Sequence, residues 1–253
     1  MRALRQFFLL SIVTKVRSVN VEKAKTTEVV SLAFVESSLT AEEKMTKKTV
    51  DELHTFAELK HDPRAMLPES FTICSTVVTP SSNPYKDWSA FFTIIDKDRA
   101  QFLAAIYDQR SIDSLLKMVH LQGASGQANG KIPPLFPNRW TRSCMAVNST
   151  SGSIHWVVEG TLVLNTISEE VKSSKSRPKD FSRKLVWGAW PYSGVWRTPS
   201  GKVTNLNVFS SPLAIEKMKS MTRGEGFVEE GDYLAWRDME WILHGQARME
   251  KSE

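Results

Sequence analysis

The chain has 253 residues, 41% of them hydrophobic and 24% charged, and a formal net charge of +5. That is enough apolar material for one large sandwich or two small domains. No run approaches the ~18 apolar residues that a membrane-spanning helix needs. The mild charge excess, the absence of zinc-finger spacing and the lack of an aromatic-basic strand pattern exclude an obvious nucleic-acid partner.

Residues 1–18 begin basic (Arg2, Arg5) and continue into a short apolar run, Phe7 to Val13, with Val16 and Ser18 as acceptable residues before a cleavage after Ser18. They read as a signal peptide, although Lys15 and Arg17 sit unfavourably close to that site; an amphipathic or disordered start is the other reading. Residues 19–55 read as a charged, partly ordered N-terminal extension. One short apolar run, Val29 to Val35, interrupts it, and a helix pattern starts at Ala41 behind Thr40 as a cap.

From Phe56 onward strands dominate. Phe56 to Leu59, Phe71 to Thr79, Ala90 to Ile95, Gln101 to Asp108 and Leu115 to Leu121 are predicted strands, and Gly123 to Gly130 is predicted to be an exposed loop rich in Gly, Ser and Asn. The stretch Arg139 to Asn165 is the most informative. Trp140 to Val147 alternates in strand period, Asn148-Ser149-Thr150-Ser151-Gly152 is turn chemistry, and Ser153 to Val158 is a second strand. Glu159-Gly160 turns into a third strand beginning at Thr161.

Beyond it, Ser168 to Lys184 is hydrophilic, and Leu185 to Ala189 is a strand. Pro191 to Gly194 is a turn. Lys202 to Phe209 alternates Val203, Asn205, Asn207 and Phe209 against Thr204, Leu206 and Val208. A helix capped by Ser210 or Ser211 runs from Pro212 to about Thr222, and residues 232–249 hold a last strand or strand pair with Trp236 and Trp241. Many short strands separated by turn signals, with one clear helix, predict an all-β sandwich.

Cysteine usage is sparse: Cys74 and Cys144 are the only two. Both lie in strand-like runs. They are either two buried free thiols or a bridge. A bridge would close a loop of about 70 residues, would stabilise by about 4 kcal/mol on the chain-entropy model, and would need an oxidising compartment.

Several segments, in order, resemble the pentraxins. Phe71-Thr72-Ile73-Cys74 resembles their "FTVC" strand, and Cys144 through Gly160 resembles their "C…ASGIVEFWVDG" hairpin. Leu185-Val186-Trp187-Gly188 is similar to the next strand with its closing glycine. Gly201 to Phe209 is similar to "GDIGNVNMW". Leu234-Ala235-Trp236-Arg237 with Ile242 to Ala247 is similar to the closing "LNWR…VQGEV". The resemblance covers roughly residues 56–250. It implies a pentraxin/laminin-G-like domain of the concanavalin A-like kind: a two-sheet antiparallel jelly-roll sandwich with one short helix near the C-terminus. It also implies a Cys74–Cys144 disulfide and hence an extracellular, secreted protein.

Pentraxins hold calcium through oxygen ligands, and the resemblance puts Asp98, with Asp96 nearby, at the first ligand position. The second ligand cluster is replaced by Ala189-Trp190-Pro191-Tyr192, which brings no carboxylate, and Lys202 stands where the family has Asp. The calcium site is therefore expected to be mostly dismantled and no cofactor is expected. Trp190, Tyr192 and Trp196 with Arg197 form an aromatic cluster suited to stacking on a sugar or a protein surface, or to packing over one end of the sandwich. Lys172 to Lys184 is basic and suited to sulfated glycans or anionic surfaces, but Glu169, Glu170 and Asp180 dilute its charge, and it reads rather as a solvated loop. Asn148-Ser149-Thr150 is a glycosylation sequon on a turn.

Catalysis has little support. A glucanase of this sandwich type would carry Glu-x-Asp-x-x-Glu; the nearest match, Glu230-Gly231-Asp232-Tyr233-Leu234-Ala235, lacks the third carboxylate. The histidines His54, His61, His120, His155 and His244 are scattered singly. The expected function is a secreted, non-catalytic binding module for a glycan or an extracellular protein surface, with homo-oligomer formation as an option. A structural adhesion domain is the alternative, and a glucanase the third reading.

Overall fold

The computed structural model describes residues 20–23, 30–34, 56–60, 67–78, 88–95, 101–108, 117–123, 126–132, 138–173, 184–187, 190–192, 195–197, 201–223, 229–245 and 247–251. In chain order the first strands are β1 (Asn20–Lys23), β2 (Val30–Phe34), β3 (Phe56–Leu59), β4 (Phe71–Val78), β5 (Trp88–Ile95), β6 (Gln101–Asp108), β7 (Lys117–Gly123) and β8 (Gly126–Ile132). The meander supplies β9 (Thr141–Asn148), β10 (Ser153–Val158) and β11 (Thr161–Ile167). A one-turn helix α1 (Glu169–Ser173) follows. Then come β12 (Lys184–Trp187), β13 (Trp190–Tyr192), β14 (Val195–Arg197), β15 (Gly201–Phe209), helix α2 (Ile215–Thr222), β16 (Glu240–His244) and β17 (Arg248–Lys251).

The strands form a front sheet of eight strands, ordered β1-β16-β3-β12-β5-β6-β7-β8, and a back sheet of seven, ordered β11-β10-β9-β4-β15-β2-β17. The neighbours pair antiparallel. Sequence neighbours repeatedly cross between the sheets, which is the jelly-roll pattern. The strand alternation explains the layering. On the back sheet Phe71, Ile73, Val77, Met145, Val147, Ile154, Trp156 and Val158 enter the main core. On the front sheet Ala57, Leu59 and Trp241 meet them there. Each such fully buried large side chain contributes roughly 1.5–3 kcal/mol of transfer free energy. Trp156 and Trp241 are among the largest fully buried side chains.

The meander is buried on both sides. Cys144 and Ala146 of β9, Cys74 of β4 and Val157 of β10 face away from the main core into a second cluster. Met218 of α2 belongs to that cluster, and Leu213, Ile215 and Met221 pack against it. The helix therefore lies over the outer face of the back sheet, and the central strands need apolar residues at both parities.

Several expectations change in the structure. Gly126 to Ile132, predicted as exposed loop within Gly123–Gly130, is the edge strand β8, paired with β7 from Gly123↔Gly126 to Lys117↔Ile132. An edge strand is held by backbone bonds to one neighbour, so a run of Gly, Gln, Ala and Asn can serve without an apolar stripe. Pro191 and Tyr192, predicted within a turn, lie instead in strand β13, which pairs with β14 in a small separate hairpin. The alternation of β15 breaks: its pairing to β4 shifts between Thr204 and Asn207, with Asn205 at φ 51°. The extra residue puts Leu206 and Val208 on the same side as Val203, in the main core, and turns Phe209 to the helix side.

The helix is shorter than expected and starts at Ile215 behind Ala214, without a side-chain cap. Ser210 is engaged elsewhere: its N–H and hydroxyl donate to the Asp232 carboxylate at 2.8 and 2.7 Å. The Ser211 carbonyl accepts from Thr72 at 2.9 Å. The sandwich also reaches upstream of Phe56, because β1 pairs with β16 and β2 with β15 and β17. Residues 1–18 and the helix pattern at Ala41 lie outside the described residues.

Candidate functional site

The meander carries the one covalent constraint. Cys74 and Cys144 are direct register partners on β4 and β9, with Cα atoms 4.1 Å apart, and their sulfurs are bonded. Adjacent antiparallel strands bring such a pair close enough to bridge without backbone movement. The disulfide lies within the back sheet rather than between sheets. Each cysteine is 1% exposed, beneath the α2 side of the fold. The neighbouring β10–β11 turn has Glu159 and Gly160 at positive φ. The Gly160 N–H donates to Thr222 Oγ1 at 2.9 Å, and Arg223 donates to the Gly160 carbonyl at 3.4 Å. The turn is thereby tied to the end of α2.

Asn148 sits at the start of the β9–β10 turn, half-buried. Its Oδ1 accepts from the N–H groups of Thr150 and Ser151 at 2.9 and 3.2 Å, an Asx-type turn. Thr150 is exposed, and Ser149, the middle residue of the sequon, is buried against Ser70 at 3.0 Å.

The Trp190, Tyr192, Trp196 and Arg197 positions come together in backbone register. β13 pairs with β14 as Trp190↔Arg197, Pro191↔Trp196 and Tyr192↔Val195. The hairpin belongs to neither main sheet and lies beside β5. Asp96 and Asp98 follow the end of β5 directly and lie outside the described residues. Among the described residues no three His, Cys, Asp or Glu side chains group as metal ligands. Lys202 is ion-paired to Glu250 at 2.9 Å.

The Glu230–Asp232 pair is also committed. Asp232 accepts both Ser210 bonds, and that hydrogen bonding, the hydroxyl's first, holds its pKa below the ordinary aspartate value. Glu230 pairs with Arg237 at 3.0 Å. Asp232 fastens the 229–236 segment to the end of β15, as does buried Asn207, whereas the Glu230–Arg237 pair ties that segment to the turn that follows it. Asn207 Oδ1 accepts from the Gly231 and Trp236 N–H groups at 3.1 and 3.2 Å.

One polar cluster escapes a reading of the sequence. On β3 and β16 the core takes Ala57, Leu59 and Trp241, with Leu243 packed against it. The alternate residues Glu58, Lys60, Glu240, Ile242 and His244 thus face away from the back sheet. Lys60 and Glu240 form a half-exposed ion pair at 2.7 Å. Further along the same strands, His244 Nε2 stands 3.8 Å from Glu58 Oε2, and each side chain keeps only 17% of its surface exposed. Distant in sequence, Glu58 and His244 meet only through strand register, and no motif could have announced them.

No family model matches the chain, and no curated protein matches it. Solved structures do. The heptameric SAP-like pentraxin from Limulus polyphemus superimposes with a TM-score of 0.67 at 13% identity, over 89% of this chain and 96% of that one. The full extracellular region of zebrafish Gpr126/Adgrg6 gives 0.57 at 14% identity, over 89% of this chain and 26% of that one. A putative carbohydrate binding protein from Bacteroides ovatus gives 0.55 at 11% identity, over 89% of this chain and 60% of that one. The chain thus spans about a quarter of the zebrafish region and well over half of the bacterial protein. The chain has the antiparallel jelly-roll fold of the pentraxin and laminin-G-like domains.

Proposed function

We propose that the protein is a secreted, non-catalytic binding module that recognises a glycan. The observation that carries this reading is the jelly-roll itself, shared at the level of fold with a pentraxin and with a putative carbohydrate binding protein. The separate aromatic hairpin supports it, because Trp and Tyr present large rigid surface at little entropic cost. Secretion is supported by the Cys74–Cys144 bridge, since such bonds persist in oxidising compartments. Binding without calcium is supported by Ala189 to Tyr192, which offer no carboxylate, and by the Lys202–Glu250 pair. Asn148 is the residue proposed to carry an N-linked glycan; the transferred sugar bonds to Nδ2, which leaves the Oδ1 turn bonds intact.

Glycan-array binding of the purified protein with and without EDTA tests the reading. Binding that survives EDTA is expected, loss in EDTA would restore a calcium site, and no binding in either condition would refute the glycan reading. A second reading, a protein-interaction domain within a longer extracellular protein, is favoured by the match to part of the zebrafish extracellular region.

A further inference from the structure

We propose that the first N-acetylglucosamine of an N-linked glycan on Asn148 docks on Ile167 across Ser153, and so becomes a structural part of the outer face of the back sheet. The inference rests on the proposed glycosylation of Asn148 and gives that sugar a place and a role.

Three observations converge. First, Asn148 is set for attachment. Asn148-Ser149-Thr150 is the one Asn-x-Ser/Thr sequence in the chain. Asn148 Oδ1 is held by the Thr150 and Ser151 N–H groups at 2.9 and 3.2 Å, which leaves Nδ2 outside the bonding of the turn. The donor is a lipid-pyrophosphate-linked oligosaccharide. A bond forms from Nδ2 to C1 of its first sugar, the C1–O bond to the pyrophosphate breaks, the lipid pyrophosphate leaves, and Nδ2 gives one proton to a base of the transferase.

Second, Asn148, Ser153 and Ile167 stand in one row across β9, β10 and β11. Ser153 is the register partner of Asn148 on one side and of Ile167 on the other. Register partners share a face, here the face on which Ala146 and Val157 meet the α2 cluster. Adjacent strands lie about 4.8 Å apart, so Ile167 stands two spacings, roughly 10 Å, from Asn148, within reach of an asparagine bearing one pyranose ring. Ser153 between them is small. Ile167 also rests against the sequon's own turn: its Cγ2 lies 3.4 Å from where a Cβ on Gly152 would stand.

Third, the surface suits that sugar. Ile167 is 68% exposed and is the one exposed large hydrophobic side chain among the described residues. A single exposed apolar residue is ordinary. This one ends β11, the last strand of the back sheet, where bare apolar surface invites edge pairing. The C–H face of the sugar covers it. The Ser151 and Ser153 hydroxyls, 2.8 Å apart, are placed to bond the ring hydroxyls and the acetamido group, since each hydroxyl both donates and accepts. Glu169 and Lys172 of α1 pair with each other at 3.8 Å, so an uncharged sugar leaves that pair in place.

The test uses the full chain, secreted from mammalian cells restricted to high-mannose glycans and trimmed with endoglycosidase H to a single N-acetylglucosamine. Peptide mapping by mass spectrometry should find that sugar on Asn148. Thr150→Ala supplies the sugar-free form and keeps the turn, whose bonds use backbone N–H groups; the wild-type chain secreted under tunicamycin is a second sugar-free form. Ile167→Ala is then made with and without the sugar. Alanine is used because Ser or Thr at 167 would create a new sequon at Asn165. Ile167→Ala should lower Tm by about 2–4 °C more in the glycoprotein than in either sugar-free form, the shift expected when one aliphatic side chain loses its cover in a chain of this size. A difference smaller than about 2 °C overturns the docking and leaves glycosylation of Asn148 standing. Secreted protein with bare Asn148 overturns both.

Discussion

Removing the Cys74–Cys144 bridge is the perturbation whose size the structure fixes best. The cysteines are 70 positions apart. Freeing a loop of that length raises the entropy of the unfolded chain enough to destabilise the fold by about 4 kcal/mol. The native state offers little compensation, since both cysteines are 1% exposed in a packed cluster with Val157, Phe209 and Met218, and truncation to alanine leaves unfilled space there. For a chain of this size each kcal/mol moves Tm by about 2–4 °C, so Cys74→Ala/Cys144→Ala should melt roughly 8–16 °C below the parent. Urea unfolding followed by tryptophan fluorescence gives the free-energy difference directly. The slope against urea should rise as well, because the uncrosslinked unfolded chain exposes more surface. A loss under about 1 kcal/mol would refute the entropic reasoning. A thiol assay on the native protein should find no reactive cysteine until it is both unfolded and reduced; two free thiols in the native state would also remove the support for secretion.

Other expectations follow from single positions. Gly160 has φ +73°, and an added Cβ would run into the Arg223 side chain; Gly160→Ala should cost about 1–3 kcal/mol in chemical denaturation, from αL strain and displacement of that arginine. Asn207 is 3% exposed and bonds the Gly231 and Trp236 N–H groups and the Asn205 carbonyl. Asn207→Leu leaves those groups unpaired and should cost about 3 kcal/mol or more, with the 229–236 segment becoming sensitive to proteolysis first. The pKa of Asp232 is lowered by the Ser210 hydroxyl and N–H, and that of Glu250 chiefly by Lys202, then Arg248. Groups with depressed folded pKa values stabilise fully above their unfolded values, near pH 4, and lose that contribution as pH falls through the folded ones. Stability should therefore drop as pH falls below about 4, and Asp232→Asn should flatten part of that acid limb in a pH series of melting temperatures.

How much of this was legible in the chain depends on the range of the interaction involved. The boundaries of β3, β9 and β10 follow closely from alternation and turn chemistry, because period and Gly/Asn signals are local. β8 is not legible in the sequence because an edge strand made of Gly, Gln, Ala and Asn carries no apolar pattern, and the β15 faces are not because one bulge at Asn205 reverses every later side chain. The start of the helix departs from the pattern of capping residues because Ser210 is claimed by Asp232 from a distant segment. The aromatic candidates Trp190, Tyr192 and Trp196 were visible as a cluster, since they are close in sequence. Glu58 and His244 were not, since only the β3–β16 register brings them together.

The sequence by itself determined the all-β class, the positions of most strands, and the pair of cysteines that a resemblance to pentraxins could join. These rest on local periodicity and on residue identity. The tertiary structure alone decided that the bridge lies within one sheet under a helix rather than between sheets. It alone decided that upstream strands complete both sheets and that a carboxylate and an imidazole, Glu58 and His244, meet across β3 and β16. Each of these depends on which strands become neighbours, and that is set by the global burial of apolar faces rather than by any short stretch of chain.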